Sequence, residues 1–126
     1  MKQELVKSEP RNEIVVYQPN ETMRLEVRFQ ADTVWLSQRQ MAELFGCSSD
    51  NVGLHLKNIY ADGELEESAT AEDFSVVRKE GTRTVSRRVR MYDLEAIISV
   101  GFRVNYKRGI QFRRLSRERC LTPRWN

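Results

Sequence analysis

SQRQMAELFGCSSDNVGLHLKNI, residues 37–59, is the stretch from which the fold can be read. Ser37 followed three residues later by Gln40 is a capping box, a reciprocal pairing that satisfies orphan amide donors where a helix begins. Met41, Leu44 and Phe45 recur at helical spacing behind Leu36, and Gly46 supplies a stop, so the spacing predicts a short helix over 38–45. Ser48 or Ser49 can cap a second helix. Asp50 suits its positive end, and Val52, Leu56 and Ile59 give it one apolar face. Ala42 is small where two helices cross, Gly46 lies four residues on in the turn, and Val52 lies ten after Ala42, where it plugs the second helix onto the first. That is helix-turn-helix spacing, in which the start of the second helix faces a DNA major groove. The expected recognition positions are Ser48, Ser49, Asp50, Asn51, Leu54 and Lys57. Asn51 could pair bidentately with adenine. The plainer alternative is an ordinary helical hairpin.

Upstream, residues 1–12 lack periodicity and read as a flexible terminus. Ile14 to Tyr17 is a β-rich run, and Gln18 to Glu21 reads as a turn. Leu25, Val27 and Phe29 alternate with polar neighbours at strand period. Ala31-Asp32 turns the chain into a third run, Thr33 to Leu36. Downstream, Asp62-Gly63 ends the second helix and Glu64 to Glu72 is an acidic connector. Phe74 to Val77 and Thr84 to Tyr92 form a hairpin around Arg78 to Thr82. On the return strand Val85, Val89 and Met91 share one face, and Arg88 and Arg90 the other. Asp93 caps a third helix carrying Leu94, Ile97, Ile98 and Gly101, and a basic segment follows from Lys107 to Arg114. Residues 115–126 read as an irregular, truncated tail, which would leave Phe112 and Leu115 uncovered.

The reading is an α+β chain: a small antiparallel β-unit, a helix-turn-helix with a wing-like β-hairpin, then one or two C-terminal helices. One domain over 13–114 is expected from a length of 126 residues. No apolar run approaches a membrane span and no signal peptide follows Met1, so a cytoplasmic protein is expected.

Charge is polarised. Residues 37–66 carry 2 basic and 5 acidic side chains, whereas residues 67–126 carry 14 and 7. The helix expected to read bases is therefore acidic, and the cations that neutralise phosphate must come from elsewhere. The hairpin offers Arg78, Lys79 and Arg83 at its tip and Arg88 and Arg90 on its return strand. Lys107 and Arg108 follow in the next basic segment. Guanidinium forks suit phosphate, although a charged edge ribbon is also a solubility device.

Catalysis finds little support. Glu64, Glu66 and Glu67 lie in a solvated connector, and Ser48 and Ser99 have no evident base. The single His55 lies near the apolar face of its helix, as a packing residue, and Cys47 reads as a small buried thiol. With two cysteines and one histidine, no metal site, cofactor, small-molecule substrate or enzymatic activity is expected. The expected partner is double-stranded DNA, with a homodimer left open. The alternative is a non-catalytic protein- or RNA-interaction module that uses the basic C-terminal face.

Several blocks together carry a resemblance: Thr33-Val-Trp-Leu-Ser37, Gln40-Met-Ala-Glu-Leu-Phe45, Leu54-His-Leu-Lys-Asn-Ile59, Asp62-Gly-Glu-Leu65, and Tyr92 to Arg114 with Ile97 to Asn105 and Gly109-Ile-Gln-Phe-Arg113. In this order they resemble the RhuM family of virulence proteins, often encoded on bacterial genomic or pathogenicity islands. The resemblance implies a DNA-binding-like helix-turn-helix near the start, and thus a transcriptional role at a virulence or mobile locus. Two departures stand out. Family members often carry Ser where this chain has Gly53, which removes an expected groove-facing hydroxyl. They also usually continue past the Phe112-Arg-Arg114 segment with a Trp-Ala pair, a further helix and a long C-terminal region.

Overall fold

A computed structural model describes residues 12–30 and 33–121, the backbone alone at Asn12 and beyond Arg114. Within them the chain is α+β. The strands are β1 (Asn12–Asn20), β2 (Met23–Gln30), β3 (Thr33–Ser37), β4 (Ala71–Glu80) and β5 (Arg83–Asp93). The helices are α1 (Gln38–Phe45), α2 (Ser49–Ala61), α3 (Glu67–Thr70), α4 (Leu94–Val104) and α5 (Tyr106–Leu121).

The five strands form one antiparallel sheet in the order β1-β2-β3-β5-β4. Alternation decides its faces: Leu25, Val27, Phe29, Val34 and Leu36 point into a core shared with Met41, Leu44 and Phe45 of α1 and Val52, Leu56 and Ile59 of α2. From the other end of the chain, Ile97, Val100 and Phe112 complete it.

Capping fixes the helix starts. The Ser37 hydroxyl accepts the Gln40 N–H at 3.2 Å, and the Gln40 side chain accepts the Ser37 N–H at 2.9 Å. Ser48 caps α2 through the Asn51 N–H, and Asp93 caps α4 through the Ala96 N–H. Gly46 ends α1 in the left-handed region at φ +70°, a conformation that a side chain disfavours.

β3 is short and central. It pairs with β2 from Arg28↔Trp35 to Gln30↔Thr33, and with β5 from Trp35↔Asp93 to Ser37↔Met91. At Ser37 the chain leaves the sheet as α1. Past that point β2 is paired only with β1, and β5 only with β4. The sheet thus forks into two hairpins with the start of α1 between them, and the Gln40 amide caps the Glu26 carbonyl of β2 at 2.8 Å.

Four expectations are corrected. Gln18, Pro19 and Asn20 belong to β1, because a register shift between Tyr17 and Asn20 lets an edge strand carry a proline. The turn is only Glu21-Thr22, with the Asn20 side chain accepting from the Thr22 and Met23 N–H groups. The β4–β5 hairpin is longer than expected and turns on Gly81-Thr82 alone. Beyond Arg114 the backbone is helical to Leu121 rather than irregular. Phe112 is fully buried, edge-on to Tyr17 at 5.5 Å, rather than uncovered. The Ala31-Asp32 turn, residues 122–126 and the Leu115 side chain lie outside the described residues.

Candidate functional site

β3 leads directly into α1 and is hydrogen-bonded to β5, so the helix pair and the β4–β5 hairpin are fixed to one frame. On α2 the exposed positions recur at helical spacing: Asp50, Leu54, Lys57 and Asn58. Leu54 is 55% exposed, unusual for a leucine in the middle of a helix packed on a core. Three of the six expected recognition residues, Asp50, Leu54 and Lys57, are therefore presented outward together.

The other three are partly committed. The Ser48 hydroxyl is taken up by the cap. Ser49 is half-buried, its carbonyl accepting the Gln38 side-chain amide at 2.8 Å. Asn51 is half-buried beside them. Gly53 faces the same Gln38: a Cβ there would stand 2.7 Å from its Nε2. Position 53 thus looks toward α1. A serine in its place would push Gln38 off Ser49 rather than present a hydroxyl to a groove.

The cations sort by position. At the hairpin tip Arg78, Lys79 and Arg83 are exposed, and none forms an ion pair among the described residues. On the stem Arg88 pairs with Asp73 at 3.6 Å, and Arg90 reaches Asp73 at 3.4 Å and Glu67 at 3.5 Å. Arg87 pairs with Glu80 at 3.0 Å. The stem arginines are thus largely matched by carboxylates on β4 and α3, and the unmatched charge is at the tip.

Lys107 is exposed, whereas Arg108 is engaged within the fold. Half-buried, it donates to the Leu44 carbonyl at 2.7 Å, while Asn105 donates to the Phe45 carbonyl at 3.1 Å. α1 has no basic residue in its own last turn. These two side chains, far along the chain, satisfy its orphan carbonyls and place a cation at the negative end of its dipole. No local spacing signals such a contact. Arg39, exposed in the first turn of α1, was also missed; its position just inside a capping box was the available clue.

Three further ionisable groups are perturbed by burial near this frame. Burial pushes the hydroxyls of Tyr60 and Tyr92 up, and Tyr60 shares a 2.8 Å hydrogen bond with the buried Thr70 hydroxyl. Burial also raises Asp93, against the opposing effect of its bond to the Ala96 N–H. His55 and Cys47 are half-buried, so the thiol is less enclosed than expected. Among the described residues no group of three His, Cys, Asp or Glu side chains could hold a metal ion, and no helix is long and apolar enough to cross a membrane.

No curated protein and no solved structure matches the chain. The Thr33–Leu65 blocks of the resemblance precede the stretch where a family model does match. That stretch contains the whole β4–β5 hairpin, α4 and α5: residues 69–121 match the model of the Virulence protein RhuM family.

Proposed function

We propose that the chain is a sequence-specific DNA-binding protein of winged-helix type, acting in the cytoplasm as a transcriptional regulator at a virulence or mobile locus. α1 and α2 serve as the helix-turn-helix, with Asp50, Leu54 and Lys57 turned to the major groove and Asn51 at its rim. The β4–β5 hairpin serves as the wing. The observation that carries this reading is the hairpin tip, where Arg78, Lys79 and Arg83 hold charge that no carboxylate among the described residues neutralises. That tip is tied through β5 to β3, the strand that launches α1. We assign no catalytic role to any residue.

The test is a duplex titration at several salt concentrations, followed by selection from a random duplex library. Log affinity should fall linearly with log salt, with a slope of about −0.9 for each phosphate neutralised. Absence of duplex binding even at low salt overturns the reading in favour of a protein- or RNA-interaction module.

A further inference from the structure

The fork in the sheet holds a half-open cleft of about 610 Å³, within the roughly 300–1,000 Å³ range of small-molecule sites. Its floor is the turn from β3 into α1, Ser37 to Gln40. Its walls come from the two hairpins and are partly apolar: Ile14 from β1, Val76 from β4 and Val89 from β5. Ile14 is 52% exposed and stands directly across the sheet from Arg28. Four arginines, Arg28, Arg39, Arg78 and Arg90, reach this cleft against one carboxylate, Glu26. Arg90 is held by Asp73 and Glu67. Arg28 stands 5.0 Å over the Phe74 ring, which in turn lies 5.2 Å from Trp35. This stack ties β2, β3 and β4 together at the closed end. Arg39 and Arg78 have no ion pair among the described residues, and they approach the cleft from α1 and from β4 respectively.

A cavity with aliphatic walls and two uncommitted guanidinium groups matches an anion that carries an apolar body. Guanidinium pairs oxyanions through parallel N–H donors, and a phosphate monoester offers three terminal acceptor oxygens where a carboxylate or a phosphodiester offers two. We propose that the cleft between the two hairpins binds an organic phosphate, its phosphate gripped by Arg39 and Arg78 and its apolar portion laid against Ile14 and Val76. The proposal goes beyond DNA binding and does not depend on it: the phosphate can belong to a free small molecule or to a duplex backbone, and the two sources are separable.

The experiment uses the full chain at constant ionic strength, with phenyl phosphate and inorganic phosphate as probes and backbone amide NMR as the readout. Phenyl phosphate should shift the amides of Ser37 to Gln40 and Ser49 and bind more tightly than inorganic phosphate. Arg39→Ala and Arg78→Ala should each weaken it about tenfold, the loss expected for one charge-assisted contact. Ile14→Ala should weaken phenyl phosphate and leave inorganic phosphate unchanged. In a competition arm, a duplex that displaces phenyl phosphate identifies the backbone as a source. Simultaneous binding identifies a free ligand, and either outcome supports the site. If phenyl phosphate moves these amides no more in the parent than in the Arg39→Ala/Arg78→Ala double variant, the site is overturned. Duplex binding by the parent, measured in the same series, then decides the DNA-binding proposal separately.

Discussion

Arg108 has an internal role that composition does not reveal. It sits in a run of cations, yet its charge is used internally on the Leu44 carbonyl. Arg108→Met keeps most of the stem and removes the donors, leaving a buried carbonyl and an uncompensated helix end. We expect a loss of about 1.5–3 kcal/mol by chemical denaturation, against a change within about 0.5 kcal/mol for Lys107→Met. Equal behaviour of the two variants would mean that the contact contributes nothing. Asp93 gives a second prediction. Burial raises its pKa in the folded chain, so folding holds that proton more tightly than the unfolded chain does. Its contribution is present at pH values below the ordinary carboxylate range and is lost as pH rises through the raised value. Asp93→Asn still caps α4 and cannot ionise. The parent should therefore lose stability relative to this variant as pH rises across that window, measured as denaturation midpoints at several pH values. The caps at Ser37, Ser48 and Asp93 were legible in the sequence because donor and acceptor lie three residues apart. The Asn105 and Arg108 caps were not, because their partners are 60 and 64 residues away.

Among the elements, the helix pair and the hairpin call for different tests. Val52 is fully buried between the helices, so Val52→Asp buries an unpaired charge and should cost several kcal/mol, read as loss of the thermal transition. On the hairpin, Arg78→Ala, Lys79→Ala and Arg83→Ala combined should weaken binding to every duplex alike and flatten the salt slope by up to about 3 units. Arg88→Ala and Arg90→Ala should move the slope less, since Asp73 and Glu67 already neutralise those side chains. A stem pair that matched the tip in its effect on the slope would contradict the division between them. Strand alternation and the helix pair were legible because period 2 and period 3.6 survive in the apolar residues. The hairpin's length was hidden because most of its residues are polar on both faces. The stem's charge matching was hidden because cross-strand neighbours such as Ser75↔Arg88 and Asp73↔Arg90 are set by register, which a turn of unread length leaves undetermined.

Across the described residues, the first strand and the last helix meet at one core. Phe112 of α5 packs edge-on against Tyr17 of β1; Phe112 belongs to the core cluster with Phe45 and Ile97, and Tyr17 packs against that cluster. Phe112→Ala should cost about 3–5 kcal/mol. Because the described residues of α4 and α5 share this core with the sheet, circular dichroism and fluorescence should still report a single shared transition at a lower midpoint. Two separated transitions would show independent units. The three-pair ladder between β3 and β5 has a kinetic consequence. Trp35 and Asp93 pair across 58 residues, whereas each hairpin closes over a turn of two. Loop closure on that scale costs about 3–4 kcal/mol in chain entropy before any contact forms. Both hairpins should accordingly form early, and the joining of β3 to β5 should set the folding rate. Substitutions along that ladder would then slow folding, while those of the exposed tip residues Arg78, Lys79 and Arg83, which change stability little, would leave both folding and unfolding rates nearly unchanged.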